Sequence, residues 1–320
     1  MNLFSTVTDF LKPAPPPDPR LADALVRVAE RVDPMLRAAS HFDRRLAAPL
    51  THALGYCAGL VDALPGPIVV ERQAFATDPL VHALFATADD IEQMLGRSQA
   101  VRDFLTDPAC WHEDHFHALL VARRQEKQQL GMTRRGDLIE NDVPQRVLFF
   151  SGQTLVEPRC DLGDLRQCLR DRALESLLRT FQEHLDALRH ERDDLRADLK
   201  TLRSAPNREG EVRSRRLIDL DAHLRQVAET LMPDPLLAAL GDFLMKPEPA
   251  LRLTPFSISV DRLGAIREPG DDASVQTLHF PEFSTRDQRL HLAMLVRIRR
   301  DEASEAVAAV RDQQHRFMLI

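Results

Sequence analysis

Three stretches of the sequence carry residue types that could do chemistry. The densest is Cys110-Trp111-His112-Glu113-Asp114-His115-Phe116-His117, with three histidines and two carboxylates close together. Imidazole and carboxylate groups at this density are the usual donors to zinc and related cations. On a helix beginning at Pro108, His112 and His115 share a face and form the pair that could start a metal site. His117 points away from them and pairs with Glu113. A zinc-protease helix needs histidines one turn apart, and the position four after His112 is Phe116. A two-histidine site needs further ligands, and nothing in the sequence nominates them. The plainer reading is a polar first helical turn, its acids near the positive end of the helix dipole. No cofactor is expected.

The second stretch runs from Arg123-Arg124-Gln125-Glu126-Lys127 to Arg134-Arg135-Gly136-Asp137-Leu138-Ile139-Glu140-Asn141-Asp142. Cations, acids and glycine alternate where helical patterning gives way to strand patterning. Such a segment could line a cleft for an anionic ligand. Neither a GxxxxGK[ST] loop nor a GxGxxG turn is present, and charged hairpin turns account for the same residues. A ligand-binding regulator or enzyme with a cleft near residues 112–142 is therefore the alternative to a role in protein–protein contact. No GxSxG nucleophile turn occurs; Ser151-Gly152 falls in a turn pattern.

The third is the N-terminal segment, where Leu3, Phe4, Val7, Phe10 and Leu11 fall on one helical face. Pro13-Ala14-Pro15-Pro16-Pro17 follows as a stiff linker. Three readings stand: a first helix packed on the core, a detachable docking helix, or a peripheral membrane contact through residues 1–12. One Lys, one Asp and no basic face weigh against the membrane.

Composition sets the frame for these segments. The chain has 320 residues, 44% hydrophobic and 28% charged, which is the balance of long solvated helices and not of a disordered chain. A net charge of −7, one Trp and one Tyr argue against nucleic acid as a partner. The basic residues are almost all Arg, with lysine only at Lys12, Lys127, Lys200 and Lys246; with the abundant Ala, this reads as a GC-rich bacterial source. Cys57, Cys110, Cys160 and Cys168 form no CxxC pair and no ligand spacing. Without a secretory pattern at residues 1–12, the expectation is reduced thiols in the cytoplasm. No apolar run approaches the ~18 residues that cross a bilayer, so integral membrane association is excluded.

The elements that would position these residues are marked by a repeated device, Asp followed by Pro, at Asp18, Asp33, Asp78, Asp107 and Asp234. The carboxylate caps the first turn, and the Pro lacks a hydrogen that would otherwise be orphaned. Helices are expected over 20–31, 34–63, 79–86, 88–95, 98–105 and 108–130, with Gly96 and Gly131 as stops. Ile68-Val69-Val70 reads as a short extended piece. Short β-hairpins are expected across 131–160.

The strongest pattern follows. Leu174, Leu178, Phe181, Leu185, Leu188, Arg192, Leu195, Leu199 and Leu202 recur in steps of four and three. Leu217, Leu220, Leu224, Val227 and Leu231 form a second seam beyond a polar loop at 204–210. A short loop between two heptad helices requires an antiparallel hairpin, spanning 163–232, and Arg192 is expected to face Asp221. Strands recur at Phe256–Val260, Val275–Phe280 and Leu290–Ile298, with a final helix over 301–314.

The expected fold is α+β and predominantly helical. It comprises an N-terminal amphipathic segment and linker (1–19), a helical region (20–130), a small antiparallel sheet (131–160) and a coiled-coil hairpin inserted in the body. A C-terminal α/β region (233–320) is expected to share that sheet. The expected role is protein–protein contact or assembly, with self or a foreign protein. Leu178, Phe181, Leu185, Leu188, Leu195, Leu199, Leu202, Leu3, Phe4, Val7 and Phe10 are the candidate interaction residues.

Overall fold

A computed structural model of the protein describes residues 19–135, 138–204, 210–261, 264–267, 275–285 and 290–318. Leu3, Phe4, Val7, Phe10 and the proline linker lie outside the described residues. The chain divides into two compact units. One comprises Met1–Tyr56 and Leu174–Pro247, the other Cys57–Ala173 and Glu248–Ile320.

The first unit is helical. It contains α1 (Pro19–Arg31), a 3-10 turn (Pro34–Ala38), the larger part of α2 (Phe42–Asp62), and the hairpin with the helix after it. A single helix was expected over 34–63; instead His41 takes a left-handed φ of 54° and separates the 3-10 turn from α2. Asp33 caps that turn by accepting from Met35 N at 2.8 Å. The long helix α7 (Leu162–Ser204) starts in the second unit and supplies most of its length to the first. It is followed by α8 (Gly210–Thr230) and α9 (Pro233–Leu244). Asp234 caps nothing, because α9 begins one residue earlier. Its carboxylate accepts from Ser40 Oγ at 2.7 Å and pairs with Arg45, and those contacts, Ser40 first, lower its pKa.

The second unit is α+β. Its short helices are α3 (Ala74–Thr77), α4 (Pro79–Leu84), α5 (Ala88–Arg97) and α6 (Gln99–Leu105), the last three opened by side-chain caps. Asp78 accepts from Leu80 N and Val81 N, Ser98 from Val101 N, and Thr87 with Asp90 closes a capping box. Gly96 is no stop signal but a crossing point within α5. A Cβ there would strike the carbonyl of Ala306 on the last helix, α10 (Arg300–Met318).

The sheet holds β1 (Ile68–Val69), β2 (His115–Arg135), β3 (Leu138–Arg159), β4 (Leu251–Val260), β5 (Gln276–Thr285) and β6 (Leu290–Arg299). Its path is β3-β2-β6-β5-β4, with β1 parallel to β6. The two β-rich stretches therefore form one sheet. It curls until its ends meet. Ile266 N donates to Arg146 O at 2.8 Å and Arg267 N to Ser259 O at 2.9 Å, so the segment 264–267 bonds to both β3 and β4.

The largest departure from expectation is β2. The predicted helix over 108–130 is absent: after a 3-10 turn at Pro108–Cys110 the chain enters a strand at His115, and Gly131 lies within that strand. The reason is visible in the burial. Phe116, Ala118, Leu120 and Ala122 alternate at 1% exposure or less, a period of two that residues of high helix propensity disguise. Their face packs against Val81, Leu84, Ile91, Leu95 and Val101. The opposite face of the sheet, through Leu119 and Leu295, meets Val61, Leu165 and Leu169. With apolar partners on both faces, β6 is a continuous apolar run at Leu292–Val296, buried at every position.

Candidate functional site

Two concave surfaces gather the chemistry-bearing side chains. The first lies in the second unit, where the connection from α6 to β2 meets the junction of β6 and α10. Trp111, Glu113, Asp114, His115, Arg299, Arg300, Asp301 and Ser304 line a cavity of about 500 Å³. Strand pairing accounts for the convergence: β2 and β6 are antiparallel, with His115 opposite Arg299, so one strand's start lies beside the other's end.

Two arginines hold the floor. Arg300 donates to the carbonyls of Cys110 at 2.5 Å and Leu105 at 3.1 Å, and its guanidinium carbon stands 5.8 Å from the Phe104 ring centroid. Arg299 forms a two-pronged ion pair with Asp301. The bonds from Arg299 hold the Asp301 carboxyl below the usual carboxylate range, and Asp301 in turn raises Arg299. Beside them, Glu302 accepts from Arg72 N at 2.7 Å; burial dominates over that bond and pushes its pKa up. Trp111 stands 59% exposed at the rim.

The sequence pointed to this place with the wrong geometry. His115 lines the cavity, but His112 lies in the turn before β2 and is exposed. The helical face that would have aligned the two does not exist. No group of three metal-ligating residues occurs among the described residues. Cys110 and Cys160, expected as reduced thiols, are joined in a disulfide next to this cavity.

The second surface lies on the helical hairpin. The heptad residues Leu178, Phe181, Leu185, Leu195 and Leu199 are buried within the chain, with Leu188 and Leu202 half-buried. The two arms are bridged by Glu191 and His223 at 3.0 Å and by Arg203 and Asp221 at 3.5 Å. Arg213 donates to the carbonyls of Leu202 and Arg203, satisfying the open end of α7. Arg192 does not face Asp221; it turns along its own helix to Asp193 at 2.8 Å.

Near the end of the hairpin the arms leave a groove of about 430 Å³ lined by Arg196, Leu199, Lys200, Arg203, Ser204, Asp221 and Leu224. Arg196, Lys200 and Arg203 are spaced four and three apart and so share one face of α7. All three are exposed, with the apolar Leu199 and Leu224 beneath. Asp221 is the one acid among these lining residues, and it is engaged by Arg203 and Arg225.

No protein-family model, curated protein or solved structure matches the chain. Among the described residues, no helix is long and apolar enough to cross a membrane.

Proposed function

We propose that this chain acts by protein–protein contact in the cytoplasm, with the helical hairpin as its contact element. On this reading the two arms pack as an antiparallel coiled coil, and the groove near their end receives an acidic amphipathic segment of a partner protein. The observation that carries it is the cationic row Arg196, Lys200 and Arg203 over Leu199 and Leu224. That pattern is complementary to a helix with carboxylates flanking an apolar stripe. Among the described residues, exposed apolar side chains such as Val212 and Ile218 fall on different faces of α8, so they form no strip on that helix.

The test is anisotropy of a labelled acidic amphipathic peptide with the full chain and with an Arg196→Glu/Lys200→Glu/Arg203→Glu variant. Binding that weakens with salt and vanishes in the variant supports the reading. No binding, or equal binding by both proteins, overturns it. Light scattering on the same samples tells whether a second copy of the chain is the partner.

A second reading, a ligand-binding regulator or enzyme, is favoured by the convergence of Trp111, Glu113, Asp114, His115, Arg299 and Asp301 on one cavity. Ligand titrations followed by Trp111 emission test it. A saturable change that Glu113→Gln weakens would favour it over the hairpin.

A further inference from the structure

The four cysteines divide into a bonded pair and two thiols. Cys110 and Cys160, 50 residues apart in sequence, are joined with their Cα atoms 6.0 Å apart, the ordinary separation of a bridged pair. Cys57 is buried, which pushes its thiol up to about 12. Cys168 donates its S–H to Glu157 Oε2 at 3.2 Å; burial and then that bond raise its pKa as well. Neither thiol is set up as an attacking thiolate at neutral pH.

The bond is not the sole contact at this end of the sheet. β2 and β3 already pair at this end, with His117 opposite Arg159. Arg300 independently holds the carbonyl of Cys110. What the disulfide adds is a second tether on the connection between α6 and β2. That connection carries Trp111, Glu113 and Asp114, which form one wall of the cavity. Cys110 and Cys160 are both only partly buried, so neither residue is sealed in the core.

We propose that the Cys110–Cys160 bond is a thiol–disulfide switch that, when closed, ties the connection bearing the Trp111–Asp114 wall to the end of β3 and, when open, releases that tether. The co-reactant is a low-molecular-weight thiol of the glutathione class. Its thiolate attacks one sulfur of the bond, forming a mixed disulfide and releasing the other cysteine as a thiolate that takes up a proton. A second glutathione thiolate attacks the glutathione sulfur of that intermediate. The second cysteine leaves and is protonated, and glutathione disulfide carries away the two electrons' worth of oxidation. Oxidation runs the same exchange backwards. In a reducing compartment a persistent protein disulfide is unusual, and a transient one is typically regulatory. The inference therefore rests on the cytoplasmic setting proposed above and not on the hairpin.

The chain's single Trp adjoins Cys110, and a disulfide quenches a neighbouring indole, so the bond carries its own reporter. The full-length protein is equilibrated in buffers of varied glutathione to glutathione-disulfide ratio. Free thiols are counted by alkylation and mass measurement, Trp111 emission is recorded, and circular dichroism checks the fold. The expected result is a reversible gain of two alkylated sites within the glutathione range, with emission rising on reduction and the fold retained. Cys110→Ser/Cys160→Ser, which has no thiol beside Trp111 for glutathione to cap, should show one emission in every buffer. A bond that survives every ratio, one that never forms, or an emission change that persists in the double variant would each overturn the switch.

Discussion

Arg124 lies over Phe256, its guanidinium carbon 4.1 Å from the ring centroid, while its Nε pairs with Glu282. The two charged side chains are 15% and 8% exposed, so strands β2 and β5 share a largely dehydrated ion pair. Arg124 also pairs with the more exposed Glu126 at 2.8 Å, which keeps Arg146 as a second partner; removing Arg124 alone therefore strands chiefly the buried Glu282, whereas replacing both Arg124 and Glu282 with apolar groups of like volume removes that buried charge. Arg124→Met should therefore cost about 3 kcal/mol, and Arg124→Met/Glu282→Leu markedly less. Urea unfolding of the three proteins decides; equal losses in single and double variants would show the pair to be unimportant.

Gly66 has a φ of +107°, and a Cβ there would run into the carbonyl oxygen of Leu295. Both the backbone region and the close approach to β6 demand glycine. Gly66→Ala should lose at least about 2 kcal/mol, while Gly55→Ala, where a Cβ meets nothing, should not destabilise. A wild-type midpoint for Gly66→Ala would contradict the packing of that turn on β6.

Glu157 is held below the usual carboxylate range. Burial acts to raise it, but the Cys168 S–H and the cations Arg172 and Arg159 together outweigh burial. A carboxyl depressed in the folded state stabilises above its unfolded pKa, near 4.3 for Glu, and that contribution is lost as pH falls through the lowered folded value. Glu157→Gln should flatten the loss of stability on acidification below about pH 4.3. Its pH profile matching the wild type across that window would refute the assignment.

Closing a loop of 50 residues, the disulfide should contribute about 2–4 kcal/mol by restricting the unfolded chain. Cys110→Ser and Cys160→Ser should lose the same amount, and adding a reductant should destabilise the wild type but neither variant. Differential scanning calorimetry with and without reductant reads this directly. Unequal losses would point to packing of one sulfur, not to the bond.

The hairpin was readable in the sequence because its signal is local and redundant, a seam repeated from Leu174 to Leu202 and again from Leu217 to Leu231. Strand β6 was readable because Leu290, Leu292, Met294, Val296 and Ile298 recur at every second position over the run. The strand β2 was hidden, because Ala118, Leu119, Leu120, Ala122, Gln125, Glu126 and Lys127 favour a helix when taken alone. Its pairing with β6, some 170 residues on, overrides that preference. The same distance explains the cavity. Trp111 to His115 drew notice from the sequence, but only strand register brings them beside Arg299 and Arg300. The disulfide was invisible for a like reason: spacing alone cannot say which distant cysteines meet.

The pairing of β2 with β6 also orders events during synthesis. The ribbon of β2 and β3 is complete when Arg159 has been made, yet its partner β6 begins only at Leu290. Translation needs on the order of ten seconds to cover that interval, and among its described residues only the short segment 264–267 makes backbone bonds to the ribbon, on β3 and not on β2. Throughout, the apolar row Phe116, Ala118, Leu120 and Ala122 borders an open strand edge on the nascent chain. Production of this protein should thus be limited by what a half-made sheet meets on the ribosome, and chaperone supply or slowed translation should change its yield more than its final stability does.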